Sequence, residues 1–95
     1  MMGAKSVHDY AISGTGDASL RAVLALLGAQ NVTLPSRAVE AGEVGVDVPN
    51  ANFWKYGGPD GGWEISWMPQ GDATQLRSKV AAVKGVSISR DNAPA

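Results

Sequence analysis

Hydrophobic and polar positions change period several times along this chain of 95 residues, and each change marks an element. Residues 7–13 alternate, with Tyr10 and Ile12 on one side and Ala11 and Ser13 on the other, which predicts a first strand. The glycine-rich run Gly14-Thr15-Gly16-Asp17 follows as a turn, where Asp17 or Thr15 can cap a helix by accepting a free backbone N–H. From 18 to 27 the period becomes helical. Leu20, Val23, Leu24 and Leu27 form one stripe, Leu26 widens it, and Arg21 points away. Gly28 then suits a left-handed stop. Residues 31–34 read as a short strand ended by Pro35, and 36–42 fit either a helical turn or a loop. Residues 43–48 alternate cleanly, with Val44, Val46 and Val48 inward.

The most informative stretch is 52–68. Two aromatic runs, Asn52-Phe53-Trp54-Lys55-Tyr56 and Trp63-Glu64-Ile65-Ser66-Trp67-Met68, flank Gly57-Gly58-Pro59-Asp60-Gly61-Gly62. Apolar strands around a Pro/Gly/Asp cluster predict a β-hairpin. Pro59 fixes φ for a turn, and Gly61 or Gly62 can supply a positive φ. A turn symmetric about Pro59-Asp60 sets Tyr56 opposite Trp63, Lys55 opposite Glu64 and Trp54 opposite Ile65. Trp54, Tyr56, Trp63, Ile65 and Trp67 then share one face, and Lys55, Glu64 and Ser66 the other, with a Lys55–Glu64 ion pair. A bulge at Gly61 would instead set Tyr56 against Glu64 and mix the two sets. The flanking glycines predict a mobile tip. The aromatic face is either core or a platform for a ligand or partner.

Beyond the hairpin, 69–71 is a loop, and Asp72-Ala73-Thr74-Gln75 fits a capping box with Asp72 as the cap and Gln75 reaching back. Leu76, Val80 and Val83 make the inward stripe of a second helix, Arg77, Lys79 and Lys84 face water, and Gly85 ends it. Residues 86–89 read as the last strand and 91–95 as a polar tail. The order predicts an α+β fold: a ferredoxin-like βαββαβ two-layer sandwich over residues 1–95, with an antiparallel sheet, two helices on one face and an extra central strand or hairpin. The segments Asp17-Ala18-Ser19-Leu20 through Leu27-Gly28-Ala29-Gln30-Asn31-Val32, and Leu76 through Lys84-Gly85-Val86, resemble ACT-type regulatory domains in rhythm. That resemblance implies the same plan and a small ligand held where helices begin. The family's Asp-x-Pro-Gly turn is replaced here by Gly14-Thr15-Gly16-Asp17, so no functional residue carries over.

Composition mainly excludes. Net charge is −1, which gives no basic field for nucleic acid or an anionic membrane. Aromatic readout of RNA needs basic neighbours, and Lys55 and Arg90 are the only candidates on strands. Without cysteine there is no disulfide, thiolate or Cys-based zinc chemistry. No apolar run reaches membrane-span length and the N-terminal residues lack a signal-peptide core, so a cytoplasmic or virion setting is expected.

Candidate chemistry is sparse. Gly14, Thr15 and Gly16 between strand and helix could hold an anion on free N–H groups, although Asp17 would repel it and the Gly-Lys-Ser/Thr ending of a P-loop is missing. His8 is the single histidine, and its neighbour Asp9 faces the other way on a strand, so neither a His–Asp pair nor a multi-histidine metal site is expected. Ser13, Ser66 and Ser87 read as strand residues. Glu40, Glu43 and Asp47 form a thin acidic stretch, with Glu43 and Asp47 on one strand face, which suits a solvated edge better than a hard-metal site. Glu64 becomes a candidate acid or base, with Tyr56 as its partner, if the register brings it into the aromatic pocket.

The leading expectation is a non-enzymatic binding or assembly module that oligomerises or docks on a larger complex, such as a phage-encoded accessory or virion component. Its contacts would be Trp54, Tyr56, Trp63 and Trp67. No cofactor or metal is expected. The alternative is a small-ligand regulatory domain or small enzyme, with a pocket between subunits lined by Tyr56, Trp63 and Glu64.

Overall fold

Alternation of Tyr10 and Ile12 with Ala11 and Ser13 decides which side of the sheet becomes interior. In the computed structural model, which describes residues 9–92, Tyr10 and Ile12 are buried and Ala11 and Ser13 are not. The elements run β1 (Asp9–Thr15), α1 (Asp17–Leu27), β2 (Gln30–Thr33), a 3-10 turn (Ala41–Glu43), β3 (Gly45–Asp47), β4 (Ala51–Tyr56), β5 (Gly62–Trp67), α2 (Thr74–Ala81) and β6 (Ser87–Asn92). Four strands form one antiparallel sheet in the order β4-β5-β1-β6, and β2 pairs with β3 as a separate ribbon. The fold is thus α+β.

The core lies between one face of this sheet and the helices. Tyr10 stands opposite Trp67, Ile12 opposite Ile65, and Gly14 opposite Trp63. Against them pack Leu20, Val23, Leu24 and Leu27 of α1 and Val80 of α2, in one buried cluster that also holds Tyr56. Each buried aromatic removes roughly 150–250 Å² from water, or about 4–6 kcal/mol gross before entropy is counted. No polar or charged residue is fully buried among those described. α1 ends as its sequence predicts: Gly28 is left-handed, its N–H donates to Ala25 O, and Ala29 N–H donates to Leu24 O at 2.9 Å.

Several expectations are corrected. The N-cap of α1 is Gly16, and neither Asp17 nor Thr15 caps it with a side chain. α2 is only eight residues, so Val83 and Gly85 lie beyond its end. Asp72 does not form a capping box with Gln75. It accepts from Thr74 N–H at 3.0 Å and from Thr74 Oγ1 at 2.7 Å, which holds its carboxyl below the ordinary range. Arg77 is exposed as expected, with its guanidinium 5.7 Å from the centroid of the Tyr10 ring. β3 covers three residues, and Glu43 belongs to the preceding 3-10 turn, where it accepts from Glu40 N–H. Glu43 and Asp47 therefore share no strand face. β6 runs on to Asn92, through the first part of the expected polar tail. Val7 and His8 lie outside the described residues.

The hairpin keeps part of its expected register. Tyr56 opposes Trp63 and Lys55 opposes Glu64, but Phe53, not Trp54, opposes Ile65. Trp54 is the extra residue of a β-bulge and leaves the aromatic face, with 69% of its surface exposed. The bulge lies in β4 and not at Gly61. No ion pair closes between Lys55 and Glu64. The turn is Gly58-Pro59-Asp60-Gly61, with Gly61 N–H donating to Gly58 O at 3.0 Å, and its positive φ falls on Gly58.

Gly14 has no room for a side chain, since a Cβ there would lie 2.6 Å from Trp63 Cζ2 and 3.2 Å from Gly85 O. Gly14→Ala is expected to lower the unfolding free energy by about 1–3 kcal/mol, the usual range for overpacking. Gly42→Ala, with nothing within 4 Å, is the control and should leave the denaturation midpoint unchanged.

Candidate functional site

Chemistry-bearing side chains gather in two places, one inside the fold and one outside it. The inner place is the start of α1. The first N–H groups of a helix lack intrahelical acceptors. Here the hairpin tip supplies them: Gly16 N–H donates to Gly61 O and Asp17 N–H to Pro59 O, both at 2.9 Å. Gly16, at φ +88 and ψ 154, adopts a backbone that side chains disfavour, and this turns the chain from β1 into α1. The tip is anchored by these bonds, against the expectation of a mobile loop.

Two aromatic side chains complete this junction. Trp63 Nε1–H points at Gly16 O (3.1 Å) and Ser19 Oγ (3.3 Å), while its ring covers Gly14. Ser19 Oγ in turn has Thr15 O at 2.9 Å and Gly16 O at 3.1 Å as acceptors. The Tyr56 hydroxyl lies 2.9 Å from both Asp17 Oδ1 and Pro35 O, so its single proton has two acceptors. Burial first, then the hydrogen bond and charge of Asp17, push the Tyr56 phenol up to about 12, with Arg21 pulling it down. Val39 N–H donates to Tyr56 O, which ties the 34–40 segment to the end of β4.

This geometry places several sequence candidates. Within the Gly14-Thr15-Gly16 turn, the Gly16 N–H is already bonded to Gly61 O and Gly14 is roofed by an indole. Tyr56, Trp63 and Trp67 are buried in the core, Trp67 with its ring centroid 5.5 Å from that of Tyr10. Glu64 is exposed on the opposite side of the sheet. A pocket lined by Tyr56, Trp63 and Glu64 is therefore not assembled within the chain, as strand parity requires. Asp47 accepts from Asn31 Nδ2 at 2.9 Å, and no cluster of three potential metal ligands occurs among the described residues.

The outer place is the sheet face that carries Ala11, Ser13, Glu64 and Ser66, away from the core. Trp54 stands over it on its bulge, and Met68, 44% exposed, follows β5. Trp54, Ala11, Glu64, Ile65 and Ser66 line a cavity of about 220 Å³. Larger clefts exist at the far end of β4. One of about 550 Å³ includes Gln30, Asp47 and Asn52, and one of about 580 Å³ includes Asn50, Met68 and Gln70. Neither joins two ionisable groups, so neither offers an acid–base pair. Among the described residues no helix is long and apolar enough to cross a membrane. The chain matches no protein-family model, no curated protein and no solved structure.

Tyr56→Phe leaves Asp17 and Pro35 without their shared donor and should cost about 1–3 kcal/mol in chemical denaturation. The pH dependence has a fixed sign. A phenol raised from 10.0 to about 12 adds stability that is complete below pH 10 and is lost as pH rises through about 12. Wild-type protein should therefore lose stability across that window, with a tyrosinate absorbance step absent in Tyr56→Phe. Equal alkaline profiles for the two proteins would contradict a Tyr56 phenol raised by its burial and by Asp17.

Proposed function

We propose that this chain is a non-enzymatic binding and assembly module, which presents the outer face of its four-stranded sheet to another protein subunit. The observation that carries this reading is Trp54. A small core has every reason to bury an indole, yet a bulge turns this one out to 69% exposure on a face that no helix covers among the described residues. Tryptophan is enriched among the residues that dominate binding energy at interfaces. Small residues around it, Ala11, Ser13 and Ser66, leave the face low enough for a second protein surface to approach. A phage-encoded accessory or virion component is one setting that fits.

The topology belongs to the same proposal. With the β2–β3 ribbon set aside, the remaining elements run βαββαβ with the spatial order β4-β5-β1-β6, which supports a ferredoxin-like reading. The ribbon is then the extra central hairpin. The Gly16 and Asp17 N–H groups at the start of α1 already have acceptors on the hairpin tip, which favours this reading over the small-ligand alternative.

Association is measured by light scattering on the chain alone and with the products of neighbouring genes. A subunit contact centred on Trp54 should weaken about thirtyfold or more in Trp54→Ala, the effect of losing about 2 kcal/mol at a hot spot. The Trp54 emission should shift to the blue on association. A chain that stays monomeric throughout, with Trp54 solvent-exposed in every mixture, removes the proposal.

A further inference from the structure

We infer that the cavity between Trp54 and Glu64 receives an arginine side chain from a partner protein. The inference rests on the assembly reading above and names the chemistry of the group that enters. Three features of the cavity select it. At about 220 Å³ it is below the range of roughly 300–1,000 Å³ typical of small-molecule sites and matches a single side chain. Its base carries the Ala11 methyl, which suits an aliphatic stem, while Ile65, with its side chain fully buried on the core face, can offer only backbone there. Its walls are an exposed indole and an exposed carboxylate, with the Ser66 hydroxyl beside them.

An indole and a carboxylate together favour a planar cation. Guanidinium stacks on an aromatic ring and presents a fork of N–H donors to a carboxylate at the same time, which a lysine ammonium cannot do. The Glu64 carboxylate is available for this role, because it makes no hydrogen bond or ion pair among the described residues. Lys55, opposite Glu64 in the ladder, is the natural internal competitor. It does not line the cavity, and its Nζ reaches over Gly62, 3.9 Å from where a Cβ would stand. The chain already uses such a contact on its inner face, where Arg77 sits over Tyr10.

The test is a titration with three capped tripeptides, acetyl-Gly-X-Gly-amide, with X as arginine, norleucine or glutamate. The readout is the indole N–H resonance of Trp54, while those of Trp63 and Trp67 report that the fold is intact. The arginine peptide should shift the Trp54 signal alone, with a dissociation constant in the tens of millimolar, as about 2 kcal/mol from one exposed cation–π and ion-pair contact implies. Binding should fall about fivefold to tenfold in Glu64→Gln and rise in Lys55→Met, which removes the competing ammonium. An equal shift with norleucine, an unchanged affinity in Glu64→Gln, or no shift at all overturns the assignment. If the peptide test fails while Trp54→Ala still weakens subunit association, the arginine assignment falls and the assembly reading stands. If Trp54→Ala is neutral there as well, both fall.

Discussion

The docking of the hairpin tip onto the first turn of α1 is the constraint on which the rest of the structure depends. Pro59 and Gly61 carbonyls accept the opening N–H groups of the helix, and Tyr56 and Trp63 reach Asp17, Gly16 and Ser19 from the same hairpin. Each such bond contributes only about 1 kcal/mol net, far less than the burial of either ring. Burial is non-directional and would tolerate a tip displaced by a residue, whereas an unmatched buried donor costs about 1–3 kcal/mol. Hydrophobic burial thus drives the closure, and the hydrogen bonds choose its register. Partners 39–47 residues apart in sequence have to meet for this to happen. The helix start and the hairpin are therefore specified jointly.

The bulge at Trp54 follows from that lock. With Tyr56 fixed opposite Trp63 and Ala51 opposite Trp67, β4 has one residue more than β5 offers between those two pairs. One side chain has to leave the ladder. β4 is an edge strand of the sheet, and a bulge there also discourages unwanted strand pairing. Edge protection accounts for the bulge but not for the residue on it, because a lysine would serve better. An indole at that position exposes a large apolar surface, and a covering partner explains it where a solvated edge does not.

Much of the fold was legible in the sequence for a local reason. The α1 stripe of Leu20, Val23, Leu24 and Leu27, its stop at Gly28 and the hairpin apex at Pro59-Asp60 all depend on residues close in sequence. The pairs Tyr56–Trp63 and Lys55–Glu64 followed from the apex by counting. Counting failed at the next residue, Trp54, since a bulge leaves no mark in an alternating pattern. The Gly14-Thr15-Gly16 turn misled in the opposite way. Its free donors are a local property, but their acceptors come from about 45 residues away, so an occupied turn and an open anion site look alike in the sequence. α2 was overestimated because Val83 continues the apolar stripe, although only Val80 is fully buried and the helix ends before Val83 is reached.

The same parity argument separates the acid–base candidates. Glu64 sits between Trp63 and Ile65, both buried, and so must face outward with Ser66 and Ser13 across the ladder. Sliding β5 by one residue would bring Glu64 inside but would expel Trp63, Ile65 and Trp67. Two indoles alone would forfeit about 4–6 kcal/mol each in gross burial, and a charged carboxylate would enter without a partner. No contact Tyr56 could offer recovers that loss. Glu64 and Tyr56 are therefore held apart by the core itself, and whatever Glu64 does, it does with the groups of the outer face: the Trp54 indole, the Ser66 hydroxyl and whatever a partner brings to them.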